Sequence, residues 1–209
     1  MPFLKFFLMS LFVLSVFSDD RVQIDMYTEA LCPDCIQFIT TSFKTAFQTK
    51  DFDLIANLNL YPYGNAHQSQ SGTQWAFTCQ HGANECFGNL MENCVFHLSG
   101  KQIGFEFAIC LEENIRQYSQ DFTKTGAYCA QQLGVNMDDV TGCMQGDVGN
   151  KIQHDVADQT ESLFPAHQYV PWIVVNNKHD SATENLVMDD LLGYVCKNYK
   201  GTVKIDACA

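Results

Sequence analysis

Val22-Gln23-Ile24-Asp25-Met26-Tyr27-Thr28-Glu29-Ala30-Leu31-Cys32-Pro33-Asp34-Cys35 runs from a near-alternating apolar segment straight into two cysteines separated by two residues. Val22 to Thr28 reads as a short buried strand. From Cys35 onward, Ile36, Ile39, Phe43, Ala46 and Phe47 recur at spacings of three and four, which predicts an amphipathic helix. Phe52 to Tyr61 returns to near-alternation and reads as a second strand, closed by Pro62, Tyr63 and Gly64. The segment is thus β–α–β with the cysteine pair at the strand-to-helix turn. That position has a chemical meaning. A thiol attacks a disulfide only as thiolate, and a second thiol must lie within reach of the mixed disulfide to resolve it. Cys32 at a helix N-terminus meets unpaired N–H groups and the positive end of the dipole, which favour its anion. Cys35, nearly one turn on, is placed to resolve. Pro33 is tolerated in a first turn, where its missing N–H has no intrahelical partner. Glu29 and Asp34 oppose the effect, and no Lys or Arg adjoins the motif.

Downstream, residues 65–150 change character. Short apolar-periodic stretches are separated by Gly and polar breaks: Cys86/Leu90/Cys94, Ala108/Ile109/Glu112/Ile115, and Tyr128 to Leu133 stopped by Gly134. They predict a set of short helices, which cross-links between them would help hold together. A longer helix with Val148, Ile152 and Val156 on one face ends before Pro165. Gly146-Asp147-Val148-Gly149 follows no strand and reads as the turn before that helix, not as a phosphate loop. Val170-Pro171-Trp172-Ile173-Val174-Val175 is then a buried strand entered through a proline, followed by an Asn176-Asn177 turn, a weak strand and a helix from about Thr183 to Asn198. The outline is β–α–β, a helical insert, α–β–(β)–α. This describes an α/β thioredoxin-like sheet with a disulfide-stapled helical insertion, one domain over 19–209 with the insertion at about 65–150. In such folds a cis-proline beside the CxxC keeps the loop open, so Val170 and Pro171 are expected to form the loop that meets an extended substrate.

The chain has 209 residues, 12 Lys+Arg against 24 Asp+Glu and 10 cysteines. A net charge of −12 argues against nucleic acid, and scattered basic residues disfavour an anionic membrane surface. Lys5 followed by the apolar run Phe6 to Phe17 reads as a secretory signal peptide over residues 1–18, with cleavage before Asp19. The run is too short to span a bilayer, and no later run exceeds Val170 to Val175. Entry into an oxidising lumen makes the other eight cysteines (Cys79, Cys86, Cys94, Cys110, Cys129, Cys143, Cys196 and Cys208) disulfide partners rather than metal ligands. Their pairing is open among 105 connectivities. The competing zinc reading would need Cys79, His81 or Cys86 beside the CxxC, and we expect no metal.

The run Cys79-Gln80-His81-Gly82-Ala83-Asn84-Glu85-Cys86-Phe87-Gly88-Asn89-Leu90-Met91-Glu92-Asn93-Cys94 resembles the CQHG-x2-EC-x2-N-x4-C signature of the gamma-interferon-inducible lysosomal thiol reductase family at every fixed position. Glu29 to Cys35 is similar to that family's active-site stretch. So are Cys143 with Gly146 to Gly149, then Thr160, Leu163, Pro165, His167, Tyr169 to Trp172 and Val175-Asn176. The resemblance implies reduction of protein disulfides in acidic endolysosomal compartments or outside the cell, with Cys32 as nucleophile and Cys35 as resolving thiol. No chemical role can be derived for the signature positions Cys79, Gln80, His81, Gly82, Glu85, Cys86, Asn89 and Cys94, and we read them as structural. His81 is the one residue there able to titrate near an acidic pH. The chain lacks any Asn-x-Ser/Thr, the acceptor on which glycan-dependent lysosomal sorting depends, so secretion is as open as lysosomal delivery.

The expected partners are disulfide-containing proteins, with no nucleic acid and no membrane span, and the protein is expected to be a monomer. No cofactor is expected beyond the Cys32–Cys35 pair, reset by small thiols. Two other readings stay open: a secretory-pathway oxidase or isomerase, and a non-catalytic disulfide-rich binding protein. The chain ends without an ER-retention signal, which counts against the first. Motifs for serine hydrolases, zincins and nucleotide binding are missing from the sequence.

Overall fold

In the computed structural model, which describes residues 20–209, β1 (Val22–Thr28) pairs in parallel with β2 (Ala56–Pro62). On its other side β1 pairs antiparallel with β5 (Trp172–Val175), which in turn pairs with β6 (Lys178–His179). The sheet order is β2-β1-β5-β6. The signal-peptide reading at 1–18 lies outside the described residues. A strand in the middle of a sheet covered on both faces must be apolar on both. β1 meets this: Ile24 and Met26 enter the main core, while Tyr27 packs with Trp172 and Val174 on the opposite face. Its one buried charge, Asp25, accepts hydrogen bonds from Gln23 and Asn59.

The predicted first helix forms from Pro33, as α1 (Pro33–Phe38), a π-helical turn (Ile39–Phe43) and α2 (Lys44–Phe47). Phe38, Ile39, Phe43 and Ala46 are buried. Within the π-turn, the Ser42 hydroxyl donates to the Val187 carbonyl and accepts from the Leu191 N–H, both at 2.8 Å. Val187 and Leu191 lie on α7 (Ser181–Asn198), whose backbone breaks at Asp190 and so frees that N–H. The second predicted strand starts later than expected: Phe52–Leu54 forms a 3₁₀ turn, and pairing begins at Ala56.

The insertion corrects two expectations. It is not all helical, because β3 (His67–Ser71) and β4 (Gln74–Thr78) form an antiparallel hairpin. Only one face of this ribbon is covered, so its apolar content shrinks to Trp75 and Phe77 and the alternation is masked by polar neighbours. It docks on α6 (Asp147–Glu161), where Trp75 stacks on His154 at 3.9 Å and Asn150 bonds both the N–H and the carbonyl of Trp75. The helices expected around the signature form as two runs within α3 (Ala83–Asn114), parted at the non-helical Gly100 (φ 78°). Finally, Val148 is 53% exposed, and α6 buries Gly149, Gln153, Ala157 and Thr160 instead. The hairpin covers polar residues of α6, so the buried face lies one position round from the apolar stripe.

The second half of α3 sends Phe105, Ala108 and Ile109 into the sheet core. Its other face, with α4 (Phe122–Leu133) and α5 (Met137–Gln145), forms a second core around Met91, Val95, Phe107, Leu111 and Phe122. Ala30, Leu31 and Ile36 join that core, so the insertion packs directly beneath the cysteine loop. The described disulfides are Cys79–Cys86, Cys94–Cys143, Cys110–Cys129 and Cys196–Cys208. Cys94–Cys143 closes a 49-residue separation. In the chain-entropy account, a loop of that size stabilises by about 4 kcal/mol.

Gly88 on α3 packs against both α4 and the loop before Cys32. A Cβ there would come within 2.5 Å of the Phe122 ring and 2.8 Å of the Ala30 Cβ, and both neighbours are buried. Gly88→Ala is therefore expected to destabilise by about 1–3 kcal/mol despite the gain in helix propensity. Urea unfolding checks this. A variant as stable as the parent would show that the contact relaxes freely.

Candidate active site

Cys32 is the N-cap of α1 (φ −68°, ψ 120°), and Pro33 occupies the first helical position. Its Sγ accepts the Cys35 N–H at 3.2 Å, the bond that a capping side chain makes to a first-turn donor. The Cys32 N–H donates to the Glu29 carbonyl at 3.2 Å, which fixes the turn leaving β1. Both thiols are free and buried, with Cys32 6% and Cys35 0% exposed. The Val170–Pro171 peptide is cis, and the Val170 carbonyl oxygen lies 3.6 Å from the Cys32 Sγ. Four expected residues thus meet, with Pro171 beside Val170 on the wall of a groove of about 410 Å³ that opens next to the thiols. Asp34, Gln37, Tyr169 and Met188 also line it. A second cis bond, Phe164–Pro165, lies upstream and has no sequence signal of its own.

The loop is held by a residue that sequence reasoning missed. Glu184 on α7 is 5% exposed; it accepts the Ile173 N–H at 2.9 Å and the Tyr169 hydroxyl at 2.8 Å. One buried carboxylate therefore ties both flanks of Val170-Pro171 to the helix. No sequence pattern marks it, since Glu184 sits in the first turn of α7, where an acidic residue is ordinary.

The two sulfurs differ sharply. The Cys32 thiol is pulled below its ordinary value, first by the Cys35 side chain hydrogen-bonding its anion, then by backbone N–H groups of Cys35 and Asp34, against burial and the Glu29 charge. Burial pushes the Cys35 thiol well up, and the hydrogen bond it gives Cys32, the Cys32 charge and Glu112 add to this. One thiol is biased toward its anion, and its neighbour is held as the acid that hydrogen-bonds it.

Most of the signature residues fall around this centre. Gly82 caps α3 with φ 89°, a conformation that favours glycine. Asn89 accepts the Ala30 N–H at 2.9 Å and so holds the loop before Cys32. Gln80 accepts from Asn65 at 2.6 Å. Cys79 and Cys86 are bonded to each other, which removes them from any zinc reading. Cys94 lies apart, joined to Cys143 in the second core. His81 is partly exposed; its Nδ1 lies 2.5 Å from Glu85 Oε2 and 3.5 Å from Glu29 Oε1. These three side chains bring candidate ligand atoms within 4.8 Å of one another. They are nevertheless closed on protein partners: Glu85 also accepts the His81 N–H, and Glu29 the Asn65 N–H. We read them as a hydrogen-bonded cluster, not a coordination site. Beneath the thiols, Glu92 and Glu112 of α3 are buried, each with one oxygen lacking a hydrogen-bond partner.

Solved structures show the same fold. The chain resembles the oxidoreductase DsbA of Xylella fastidiosa with a TM-score of 0.52, at 17% identity over 83% of this chain and 85% of that one. DsbA of Pseudomonas aeruginosa superposes equally well, at 13% identity over 85% of each. With a CxxC capping the helix after β1 and a cis-proline facing it, fold and site define a thioredoxin-like thiol–disulfide oxidoreductase.

Sequence relationships narrow the class. The family model for gamma interferon inducible lysosomal thiol reductase matches residues 23–133. Gamma-interferon-inducible lysosomal thiol reductase of Carassius auratus is 35% identical over 88% of this chain and 71% of its own length. The Mus musculus protein of that name is 34% identical over 90% and 72%. Gamma-interferon-responsive lysosomal thiol protein of Arabidopsis thaliana is 33% identical over 87% and 72%. The chain belongs to the gamma interferon inducible lysosomal thiol reductase family.

Proposed function

We propose that this protein reduces disulfide bonds of protein substrates in the secretory, endolysosomal or extracellular space, with Cys32 as nucleophile and Cys35 as resolving thiol. The observation that carries this reading is the asymmetry of the pair: a thiol held toward its anion at a helix N-cap, beside a buried thiol held protonated. The Cys32 thiolate attacks one sulfur of the substrate disulfide. A mixed disulfide forms and the other substrate sulfur leaves as thiolate, taking a proton from solvent. Cys35 then loses its proton and attacks the Cys32 sulfur, releasing the second substrate thiol. The substrate gains two electrons and the enzyme is left with a Cys32–Cys35 disulfide. Small thiols reset that bond by the reverse exchange, with no bound cofactor. The Val170 carbonyl beside Cys32 offers an acceptor to a backbone N–H of an extended substrate in the adjoining groove. Lysosomal names among the relatives and the apolar leader support the compartment. Among the described residues, no helix is long and apolar enough to cross a membrane. We expect a monomer.

Insulin reduction at pH 5 with free cysteine or a dithiol tests the activity. Turnover above the thiol-only background is expected, and its absence at every pH from 4.5 to 7.5 would overturn the reading. Equilibration with glutathione mixtures tests the direction. A Cys32–Cys35 potential well to the oxidising side of the glutathione couple would favour the oxidase alternative.

A further inference from the structure

The residues that match the family signature include a titratable group the mechanism above does not use. His81 stands at the surface, 37% exposed, with its Nδ1 directed at two carboxylates that are almost wholly buried. Glu29 is one of them, three residues before Cys32, and its main-chain carbonyl accepts the Cys32 N–H. We infer that His81 is a positioning cation for Cys32: its imidazolium, clamped by Glu85, offsets the Glu29 carboxylate that opposes the thiolate. The inference rests on Cys32 being the reactive thiol, and it gives the His81–Glu85 pair of the signature run a role in the chemistry.

Titratable groups on every element around Cys32 bear on this balance. Glu85 at the start of α3 pushes the His81 imidazole up as its hydrogen-bond partner, with the charges of Glu85, Glu29 and Cys32 adding to this against desolvation. Burial, with the Glu85 charge, raises the Glu29 carboxyl to about 6, against bonds from Asn65 and the charge of His81. From the second half of α3, Glu112 faces both Cys32 and Cys35, and burial with the Glu92 charge holds it well up, against Arg116. Asp34 and Cys35 face Cys32 from α1, and the Val170 carbonyl from the loop before β5. As pH falls, His81 gains its charge and, through about 6, Glu29 loses its own, so the net field at Cys32 becomes more favourable to the thiolate. Coupling between two titrating groups is reciprocal: if the Cys32 anion favours imidazolium, the imidazolium favours the anion equally. Without the Glu85 clamp a half-exposed imidazole would carry little charge above its ordinary range.

Reading the site without any disulfide substrate separates this inference from the activity itself. The rate of iodoacetamide alkylation at Cys32 in the reduced protein, followed by mass spectrometry from pH 4.5 to 8.5, reports the thiolate fraction. His81→Gln is expected to slow alkylation about tenfold where the imidazole is charged and Glu29 is ionised, from about pH 6 upward, and to converge on the parent rate once the parent imidazole has lost its proton. Tenfold is the lower end of what a neighbouring charge achieves, in keeping with the exposure of His81. His81→Lys restores the rate there and extends it to the alkaline end of the range, because its cation does not titrate with the imidazole. Glu29→Gln speeds alkylation above pH 6 and shrinks the effect of a second substitution at His81. In the unmutated protein, histidine NMR should find His81 titrating at lower pH when Cys32–Cys35 is oxidised than when it is reduced, because oxidation removes the anion. A His81→Gln profile superimposable on the parent, a folded His81→Lys that behaves like His81→Gln, or a His81 titration indifferent to the redox state of the pair would each overturn the assignment. A failure of the insulin assay with these profiles intact would count against the proposed activity and leave the assignment standing.

Discussion

Cys32→Ser is expected to lower protein-disulfide reduction by at least about three orders of magnitude, to the thiol-only background, while Cys35→Ser leaves the first step working and stalls the second. The asymmetry of the pair dictates the difference. A serine hydroxyl at position 32 keeps the N-cap bond to the Cys35 N–H, so α1 still starts at Pro33, but it supplies no nucleophile that ionises near neutrality. At position 35 the lost thiol is the one held protonated against the Cys32 sulfur. Removing it takes away one hydrogen bond to the anion and leaves the backbone N–H groups of Cys35 and Asp34 in place. Cys32 should therefore still attack, more slowly at acidic pH, and the mixed disulfide should persist because nothing completes the exchange. Non-reducing electrophoresis and intact-mass measurement after mixing with a reducible protein check this, with near-stoichiometric adducts expected for Cys35→Ser and none for Cys32→Ser. A Cys35→Ser protein that turns over as fast as its parent would show that small thiols, not Cys35, resolve the intermediate.

What could be read from the amino acids divides along a physical line. β1, α1 and the CxxC between them carry local signals: alternation, a three-four repeat, and a proline that fits only a first helical turn. The strand after the insert was legible for a similar reason, since Val170 to Val175 is apolar throughout and β5 is buried along its length. Features depending on distant partners were not legible. Trp75 and Phe77 reveal a strand only once α6 is known to cover one face of the hairpin. Glu184 looks like any first-turn acid until its bonds to Ile173 and Tyr169 are seen. Disulfide pairing is wholly tertiary: Cys86 and Cys94 share a helix face in the periodic pattern, yet Cys86 turns back to Cys79 while Cys94 reaches α5. Glu112 is an intermediate case. The apolar repeat Ala108/Ile109/Glu112/Ile115 put it on the covered face, where all four are buried. Nothing in that repeat indicated that Glu92, from the other side of the Gly100 bend, would lie beside it.

That carboxyl pair makes the folded protein an acid-favoured structure. Glu92 is pushed up to about 8 by burial, and Glu112 is held well above the ordinary range by burial and by the Glu92 charge. Raised values mean that the folded state binds protons the unfolded chain has released, so each group's stabilising contribution is fully present below an unfolded value near 4.5 and is lost as pH rises toward the folded value. For Glu92 alone, the loss between pH 4.5 and 7 is about 3 kcal/mol at 1.36 kcal/mol per pH unit. Glu29, raised to about 6, and His81, also raised, add to the same slope. The lowered carboxyls at Asp121 and Asp180 run the other way but are solvent-exposed and weak, and the His167 imidazole, lowered by burial, opposes the slope below about pH 6.5. Calorimetry should therefore find a higher Tm at pH 5 than at pH 7.5. Glu92→Gln, which keeps the shape and removes the charge, should raise the Tm at pH 7.5 by roughly 6–12 °C and change it little at pH 5, at a few degrees per kcal/mol for a chain of this size. The glutamine amide inherits the unpartnered environment of the Glu92 Oε1, so part of that gain is offset by its own burial. The pH slope is the sharper readout, because amide burial does not vary with pH. A Tm that is flat or rising from pH 5 to 7.5 in the parent, or a slope that Glu92→Gln leaves unchanged, would show that the pair is ionised or solvated in the folded protein.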